Sequence, residues 1–324
     1  MSAHECAIIT GVTHESSLRS LLDAALARSI DHPTYATVDA FWRAHVDRSQ
    51  HHPLPFDRAV LGGLFADTVG QAFTAGYRAA LQALFDTLSP SDAASFCVTE
   101  RGGGHPRAIE TTLENAQDDR ALTGEKTWIS LADGVVHLLV VAREGTHDDG
   151  RPKLRIVHVD SSRAGVTVTP MSIGAMVPDV LHGSVRFDRV RVADSELLAG
   201  DGYARYVKPF RTVEDVHVFG ALLGYLVAVA RSSEWPPSVL ARLASSIATL
   251  RALAVEPPDD PVVHVALDGA LSTAKALVSE LDLLWESAAP DARDRWNRDR
   301  VLLSVAQRAR DARTTRALEA LSRR

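Results

Sequence analysis

Two cysteines in 324 residues, Cys6 and Cys97, leave no disulfide framework and no cysteine-based metal spacing, so a reducing, cytoplasmic setting is the expectation. Basic surplus is missing as well: 35 Lys and Arg stand against 41 Asp and Glu, a net charge of −6. Outside the Arg-rich C-terminal stretch the cations are scattered, which argues against a nucleic-acid partner. No apolar run reaches membrane length unbroken. Residues 59–85 are apolar, but Asp67, Gln71 and Arg78 interrupt them, so a core helix and not a membrane span is expected. The opening Met1-Ser2-Ala3-His4-Glu5-Cys6 has no basic region leading into an apolar core, and no signal peptide is expected. Internal repeats and low-complexity tracts are missing too. What is present is ordinary globular material, 46% hydrophobic and 23% charged, enough for one large core or two to three small ones.

The pattern along the chain changes twice. Residues 1–90 read as helical, with amphipathic segments over Leu18–Ala27 and Val38–Arg48, a break at His51-His52-Pro53-Leu54-Pro55, and a Gly/Ala-rich stretch from Ala59 to Phe85 suited to close helix packing. His4, His14, His32, His51 and His52 have no carboxylate or cysteine at ligand spacing, so loop histidines and no metal are expected. Residues 91–205 turn to short β-prone segments. Val135–Ala142 is a buried-strand run, Leu154–Val159 alternates, and Ser161–Gly165 is a turn. Seven or eight such strands suggest a β-barrel or sandwich. Residues 206–324 return to helix, broken at Trp235-Pro236-Pro237, Glu256–Pro261 and Ala289-Pro290-Asp291, which predicts four long helices in an antiparallel bundle. The expected fold class is α+β: N-terminal helical domain, central β-domain, C-terminal four-helix bundle.

The most informative stretch is Phe96–Ser130. It opens on the β-prone Phe96-Cys97-Val98-Thr99 and runs into the triplet Gly102-Gly103-Gly104. Strand character recurs around Ile109–Leu113 and Arg120–Thr123 across the polar turn Asn115–Asp119, and the stretch closes on Gly124-Glu125-Lys126-Thr127-Trp128-Ile129-Ser130. Thr99 and Ser130 offer hydroxyl and N–H donors, Trp128 a broad apolar wall, and the glycines allow close backbone approach. A flat ring with a polar edge needs these features. Ordinary β-domains with a packed Trp have them too.

Order and spacing sharpen the reading. Phe96-Cys97-Val98-Thr99-Glu100 followed by Gly124-x-Lys126-x-Trp128-Ile129-Ser130 resembles the flavin-binding strands of the acyl-CoA dehydrogenase family. The resemblance continues through Gly165-Val166-Thr167-Val168 and Phe187-Asp188-Arg189-Val190-Arg191-Val192, and it covers residues ~90–230. It implies the helix–sheet–helix fold, both helical parts being short for the family. It also implies FAD, with Phe96, Val98, Thr99, Trp128 and Ser130 around the flavin ring. The implied activity is α,β-dehydrogenation of an acyl thioester carried by coenzyme A or a carrier protein. A homodimer or homotetramer and an electron-transfer partner go with it.

The same comparison shows departures. The family's usual base sits in a C-terminal Tyr-Glu-Gly-Thr-type motif, which is absent here. A minority places the base on the first C-terminal helix, and counting back ten residues from Gly224 lands on Glu214. Thr212 and Asp215 also form a capping-box pattern, so Glu214 reads equally as a helix-end acid, and Asp215 replaces a frequent family Arg. The Arg-x-x-Phe-Gly that meets a flavin pyrophosphate is replaced by Arg231-Ser232-Ser233-Glu234-Trp235, and Gln307 lacks its Gly-Gly partner. Gly-Ser-Asp is replaced by Gly104-His105-Pro106, leaving His105 as the candidate phosphate contact. The ring half of the site is intact in sequence and the ADP half is eroded, so FAD binding is expected to be weakened. Two alternatives follow: a non-catalytic subunit or acyl binder of the same fold, and a flavin monooxygenase.

Overall fold

In the computed structural model, which describes residues 17–27, 33–116, 119–171 and 176–323, the chain runs from helices to sheet and back to helices. Cys6, His4, His14, His32 and the Gln117-Asp118 pair of the polar turn lie outside the described residues. Among the described residues four helices come first: α1 (Leu18–Leu26), α2 (Val38–Ser49), α3 (Pro55–Phe65) and α4 (Val69–Leu84). Short polar side chains set three of their starts. The hydroxyls of Ser17, Thr37 and Thr68 accept from the N–H groups of Ser20, Ala40 and Gln71, each at 3.1 Å. At α3 a proline at the first position does the same work by fixing φ where no N–H partner exists.

Seven strands follow: β1 (Ala94–Cys97), β2 (Thr112–Ala116), β3 (Asp119–Ser130), β4 (His137–Thr146), β5 (Pro152–Asp160), β6 (Val166–Met171) and β7 (His182–Val192). They form one curled sheet, not the two packed sheets of a sandwich. β4 pairs antiparallel with β5 on one side. On the other it runs parallel to β1 (Ala94↔His137 to Cys97↔Val140) and meets β2 at Thr112↔Arg143. β3 then links β2 to β7, with β6 beyond. The expected strand at Ile109–Leu113 begins later, at Thr112. The N–H groups of Glu110 and Thr111 are taken by the Glu100 carboxylate, at 2.7 and 3.1 Å, and are lost to any ladder.

The apolar run in β4 is explained by burial on both faces. Leu138, Val140 and Ala142 join Cys97, Leu122, Ile129 and Phe187 in a core belonging to the sheet alone. Leu139 and Val141 point the other way, into the core shared with the helices. In β7 the residues Phe187, Val190 and Val192 all face the sheet core although the first two are three apart. A register shift against Leu122/Gly124 and a left-handed Arg189 (φ 50°) absorb the extra residue.

The final segment begins with a π turn, Tyr203–Val207, continuous with α5 (Lys208–Ser232); α6 (Pro237–Leu253), α7 (Pro261–Glu280), α8 (Pro290–Asp299) and α9 (Gln307–Leu321) follow. α5 is the axis of the molecule. A methyl on Gly63 would stand 1.8 Å from the Ala221 carbonyl oxygen, and one on Gly224 2.3 Å from that of Val60, so α3 and α5 touch backbone to backbone. The first and last helical segments therefore share one hydrophobic core, which also takes one face of the sheet. Tyr203–Ser232 is long and apolar enough to cross a membrane, but its most apolar window is 94% buried in protein, as in a core helix. Pro261–Ser287 passes the same length and hydropathy test with 33% of its window buried.

The expected fourth bundle helix is two helices. Ala306 adopts a left-handed conformation (φ 64°) between α8 and α9. At the end of α8 the buried Asp299 carboxylate accepts the Val177 N–H at 2.7 Å and pairs with Arg298, tying this corner to the chain between β6 and β7. That anchor is tertiary, and neither glycine nor proline marks it in residues 300–306.

Candidate active site

A cavity of about 760 Å³ opens between the end of β1, the bulge in β3, the start of α5, the start of α7 and α9. Every candidate residue from the sequence lines it: Phe96, Val98, Thr99, His105, Trp128, Ser130 and Glu214.

The sheet side is built by a buried ion pair. Lys126 in β3 is fully buried and reaches Glu100, beyond β1, with Nζ 2.6 Å from Oε1; it also donates to the Val98 carbonyl at 3.4 Å. Burial pushes the Lys126 ammonium below its ordinary range, with Glu100 opposing. Burial pushes the Glu100 carboxyl up, but the Lys126 charge and hydrogen bond and the two backbone donors hold it below the usual range. With Thr127 N–H donating to Thr99 O at 2.7 Å, the pair fixes Val98 and Thr99 against Trp128. The Glu and Lys of the two motifs are thus the clamp between them, a role that motif spacing alone does not assign. Gly124 is required beside it: φ is 150°, and a methyl there would stand 2.7 Å from Thr111 Cα.

Trp128 owes its position to the bulge. Pairing with β7 slips between Lys126 and Ile129, and Trp128 takes φ 58°, a costly conformation for a large residue. The side chain is 58% exposed at the cavity wall and does not pack in the core. Phe96 lies deeper. Its N–H donates to the Tyr77 hydroxyl at 3.0 Å and its ring meets Phe210 edge-on at 5.1 Å, so the floor is aromatic. His105 stands exposed near the mouth, where Nδ1 accepts the Arg107 N–H at 3.2 Å and caps the turn Pro106–Ala108.

The helical side carries the charge. Glu214 is half-buried in the cavity wall, and burial first, then the Asp215 charge, pushes its carboxyl up to about 7, against the pull of Arg211 and Arg310. The expected capping box at Thr212–Asp215 does not form. Helix already runs from Tyr203, so these residues are interior, and Asp215 turns instead to α9. Its Oδ1 accepts from Arg310 Nε and Nη2 at 2.9 and 2.8 Å, and its Oδ2 from Arg313 Nη2 at 2.8 Å. Arg313 also donates to Thr212 Oγ1 at 3.3 Å. The sequence does signal this. Arg310, Arg313 and Arg316 recur every third residue, which sets them along one face of α9.

Two residues considered for the ADP half are engaged within the chain. Arg231 donates to the Ala25 carbonyl at 3.2 Å. Gln307 accepts from Lys275 and donates to Asp311 at 2.7 Å.

Residues 95–190 match the family model described as acyl-CoA dehydrogenase, middle domain. Over 119 residues the chain is 29% identical to a probable acyl-CoA dehydrogenase, YdiO, of Escherichia coli strain K12; the match takes in 36% of this chain and 30% of that protein. The chain thus spans under a third of the curated relatives it matches. Among solved structures it resembles PigA with FAD and proline at TM-score 0.70 and 10% identity, covering 94% of this chain and 98% of the other. It also resembles the butyryl-CoA dehydrogenase of Megasphaera elsdenii at TM-score 0.59 and 14% identity, covering 89% and 100%.

Proposed function

We infer that this divergent member of the acyl-CoA dehydrogenase family is a flavin-dependent oxidoreductase that removes two hydrogens from adjacent carbons of an acyl thioester. One observation carries the reading. The Glu214 carboxyl shares a cavity with Thr99, Trp128 and Ser130, and burial brings its pKa to about 7.

The sheet wall suits a flavin ring. Trp128 is held out of the core by a strained bulge and lines the cavity, together with the hydroxyl-bearing Thr99 and Ser130. The fit is poorer for the ADP half: Arg231 and Gln307, at the family's Arg and Gln positions, do not line the cavity and are already bonded within the chain. His105 Nε2 has no hydrogen-bond partner among the described residues and would be the contact for a phosphate at the mouth. A charge-assisted hydrogen bond to phosphate is worth ~1.5–3 kcal/mol, so without one FAD is expected to bind roughly ten- to a hundredfold more weakly than with a full set.

A bound flavin supplies the hydride acceptor for the β-carbon. The protein's part is the other hydrogen. Glu214, as carboxylate, takes the proton from the carbon next to the thioester carbonyl; the two losses together leave a carbon–carbon double bond. Such a base is worth ~10²–10⁴ in rate, and a pKa near the working pH keeps it both available and strong enough. The aromatic floor of Phe96, Phe210 and Tyr77 keeps water from the acyl chain. An electron-transfer partner to reoxidise the flavin, a cytoplasmic setting and a homodimer or homotetramer belong to the same proposal. Exposed Val262 and Leu318 on α7 and α9 support the last of these.

Titration with FAD and with FMN tests the reading, followed by flavin absorption, Trp fluorescence and melting temperature. Saturable binding with a perturbed flavin spectrum is expected. If both leave fluorescence and melting temperature unchanged, the flavoprotein assignment fails.

A further inference from the structure

We propose that Arg313 is the anchor for a carboxylate on the substrate, so that the acyl group handled in this cavity is an acidic one. This rests on the cavity being the substrate site.

Arg310 and Arg313 lie one turn apart on α9 and both meet Asp215, yet they are used differently. Arg310 is engaged at every nitrogen: Nε and Nη2 go to Asp215, Nη1 donates to the Leu303 carbonyl at 3.1 Å, and its Cζ lies 5.2 Å from the Phe219 ring centre. It is a structural tie. Arg313 spends Nη2 on Asp215 and Nη1 on Thr212, and its buried Nε–H meets no acceptor among the described residues. Its side chain is only 10% exposed and lines the cavity. A buried charged donor without a partner is costly, and a ligand oxygen seated against Arg313 itself, deeper than the open cavity reaches, would remove that cost.

The charge around it points the same way. Although the chain carries −6, the cavity wall has five basic side chains against three acidic ones. Asp215 is consumed by the two arginines, and Glu214 is only partly ionised near neutral pH. Lys208, Arg211 and Arg316 stand exposed at the rim and enter no ion pair among the described residues. An anionic oxygen group is the chemistry this wall recognises.

Two sources could bring one, a cofactor phosphate or a substrate carboxylate, and position separates them. Phosphates fit the exposed rim. Arg313 is bonded to Thr212 and Asp215, in the same turn of α5 that carries Glu214, so a ligand on Arg313 lies on the Glu214 side of the cavity and not at its rim. A carboxylate there would hold the acyl chain by its far end and fix the register of the α-carbon on Glu214. Planar two-point contact suits guanidinium better than ammonium.

The test is calorimetric titration of the full-length protein with succinate, its uncharged diamide and inorganic phosphate, alongside a separate FAD titration. Parent protein should bind succinate at least tenfold more tightly than the diamide and more tightly than phosphate. Arg313→Gln, which leaves Arg310 on Asp215, should lose at least tenfold in succinate affinity while FAD affinity stays within twofold. Arg313→Lys should lose at least threefold, and it decides the matter if the Gln variant does not fold. No binding of succinate to the parent, or equal binding in parent and variants, overturns the proposal. A matching loss of FAD affinity overturns it too, by assigning Arg313 to a cofactor phosphate. If the parent binds no FAD, the flavin reading fails while the succinate comparison still stands.

Discussion

The two walls of the cavity are built on different rules. The sheet wall is assembled by near neighbours in an ordered pattern: Thr99-Glu100 and Lys126-x-Trp128 lie in two short motifs, clamped by one fully buried ion pair. The helical wall is assembled across the chain, with Asp215 of α5 held by Arg310 and Arg313 of α9 nearly a hundred positions on, where side chains keep 8–10% exposure. The first wall makes a shape, including a strained tryptophan. The second sets charge: it ties Asp215 to two arginines and leaves Glu214 without a direct ion pair among the described residues. A fold can hold the ring-binding shape constant while the helical wall changes its acids and bases, and so its substrate.

The comparison predicts unequal costs. Lys126→Met strands the Glu100 carboxylate without its cation, and ~3–5 kcal/mol of stability should disappear in denaturant unfolding at pH 7. A loss below ~1 kcal/mol would mean that the clamp holds nothing. Asp215→Asn removes the hub of the other wall, but the two arginines can reach water, so a smaller loss of ~1–3 kcal/mol is expected in the same assay.

Glu214 should behave in the opposite sense. Its folded pKa of about 7 lies above the ordinary 4.5, so the folded state holds the proton more tightly than the unfolded chain does. Stability contributed by the protonated form is present below the unfolded value and lost as pH rises towards 7. Glu214→Gln should therefore match the parent at pH 4 and exceed it by about 1–3 kcal/mol at pH 8. Unfolding curves at the two pH values decide this, and a variant less stable than the parent at pH 8 would contradict the burial of an uncompensated carboxyl. The smallest effect belongs to Trp128→Phe. With the side chain 58% exposed, the melting curve should move by less than ~0.5 kcal/mol, while the absorption envelope of added flavin changes. The reverse, a large stability loss with an identical spectrum, would make Trp128 a core residue.

The sheet wall was legible in the sequence because its parts are local. Two short motifs between them carry the bulge, the glycine and both partners of the ion pair, and their order identifies the wall. Glu214 was reachable by counting from Gly224. The partner of Asp215 was not. A capping box was chemically sound as a local pattern and failed because helix already begins at the π turn from Tyr203, upstream of Pro209, the residue that marks a helix start in the sequence. The left-handed Ala306 was hidden for a similar reason, since Asp299 and Val177 meet across 122 positions. The merging of the two helical segments was half visible. The Gly/Ala-rich stretch from Ala59 to Phe85 announced close packing, but not that its partner would be α5 at Ala221 and Gly224.

The central claim, that Glu214 takes a proton while a flavin in this cavity takes a hydride, is tested most directly by anaerobic mixing of acyl thioester with FAD-loaded protein. Loss of the flavin's visible absorption is followed for the parent and for Glu214→Gln. The account predicts bleaching by the parent, faster as pH rises through about 7, and a rate at least ~10²-fold lower in the Gln variant with flavin still bound. Equal rates in the two proteins would reduce Glu214 to a bystander. A parent that no acyl thioester bleaches would contradict the dehydrogenase reading and favour an oxygenase or a non-catalytic binder on the same fold.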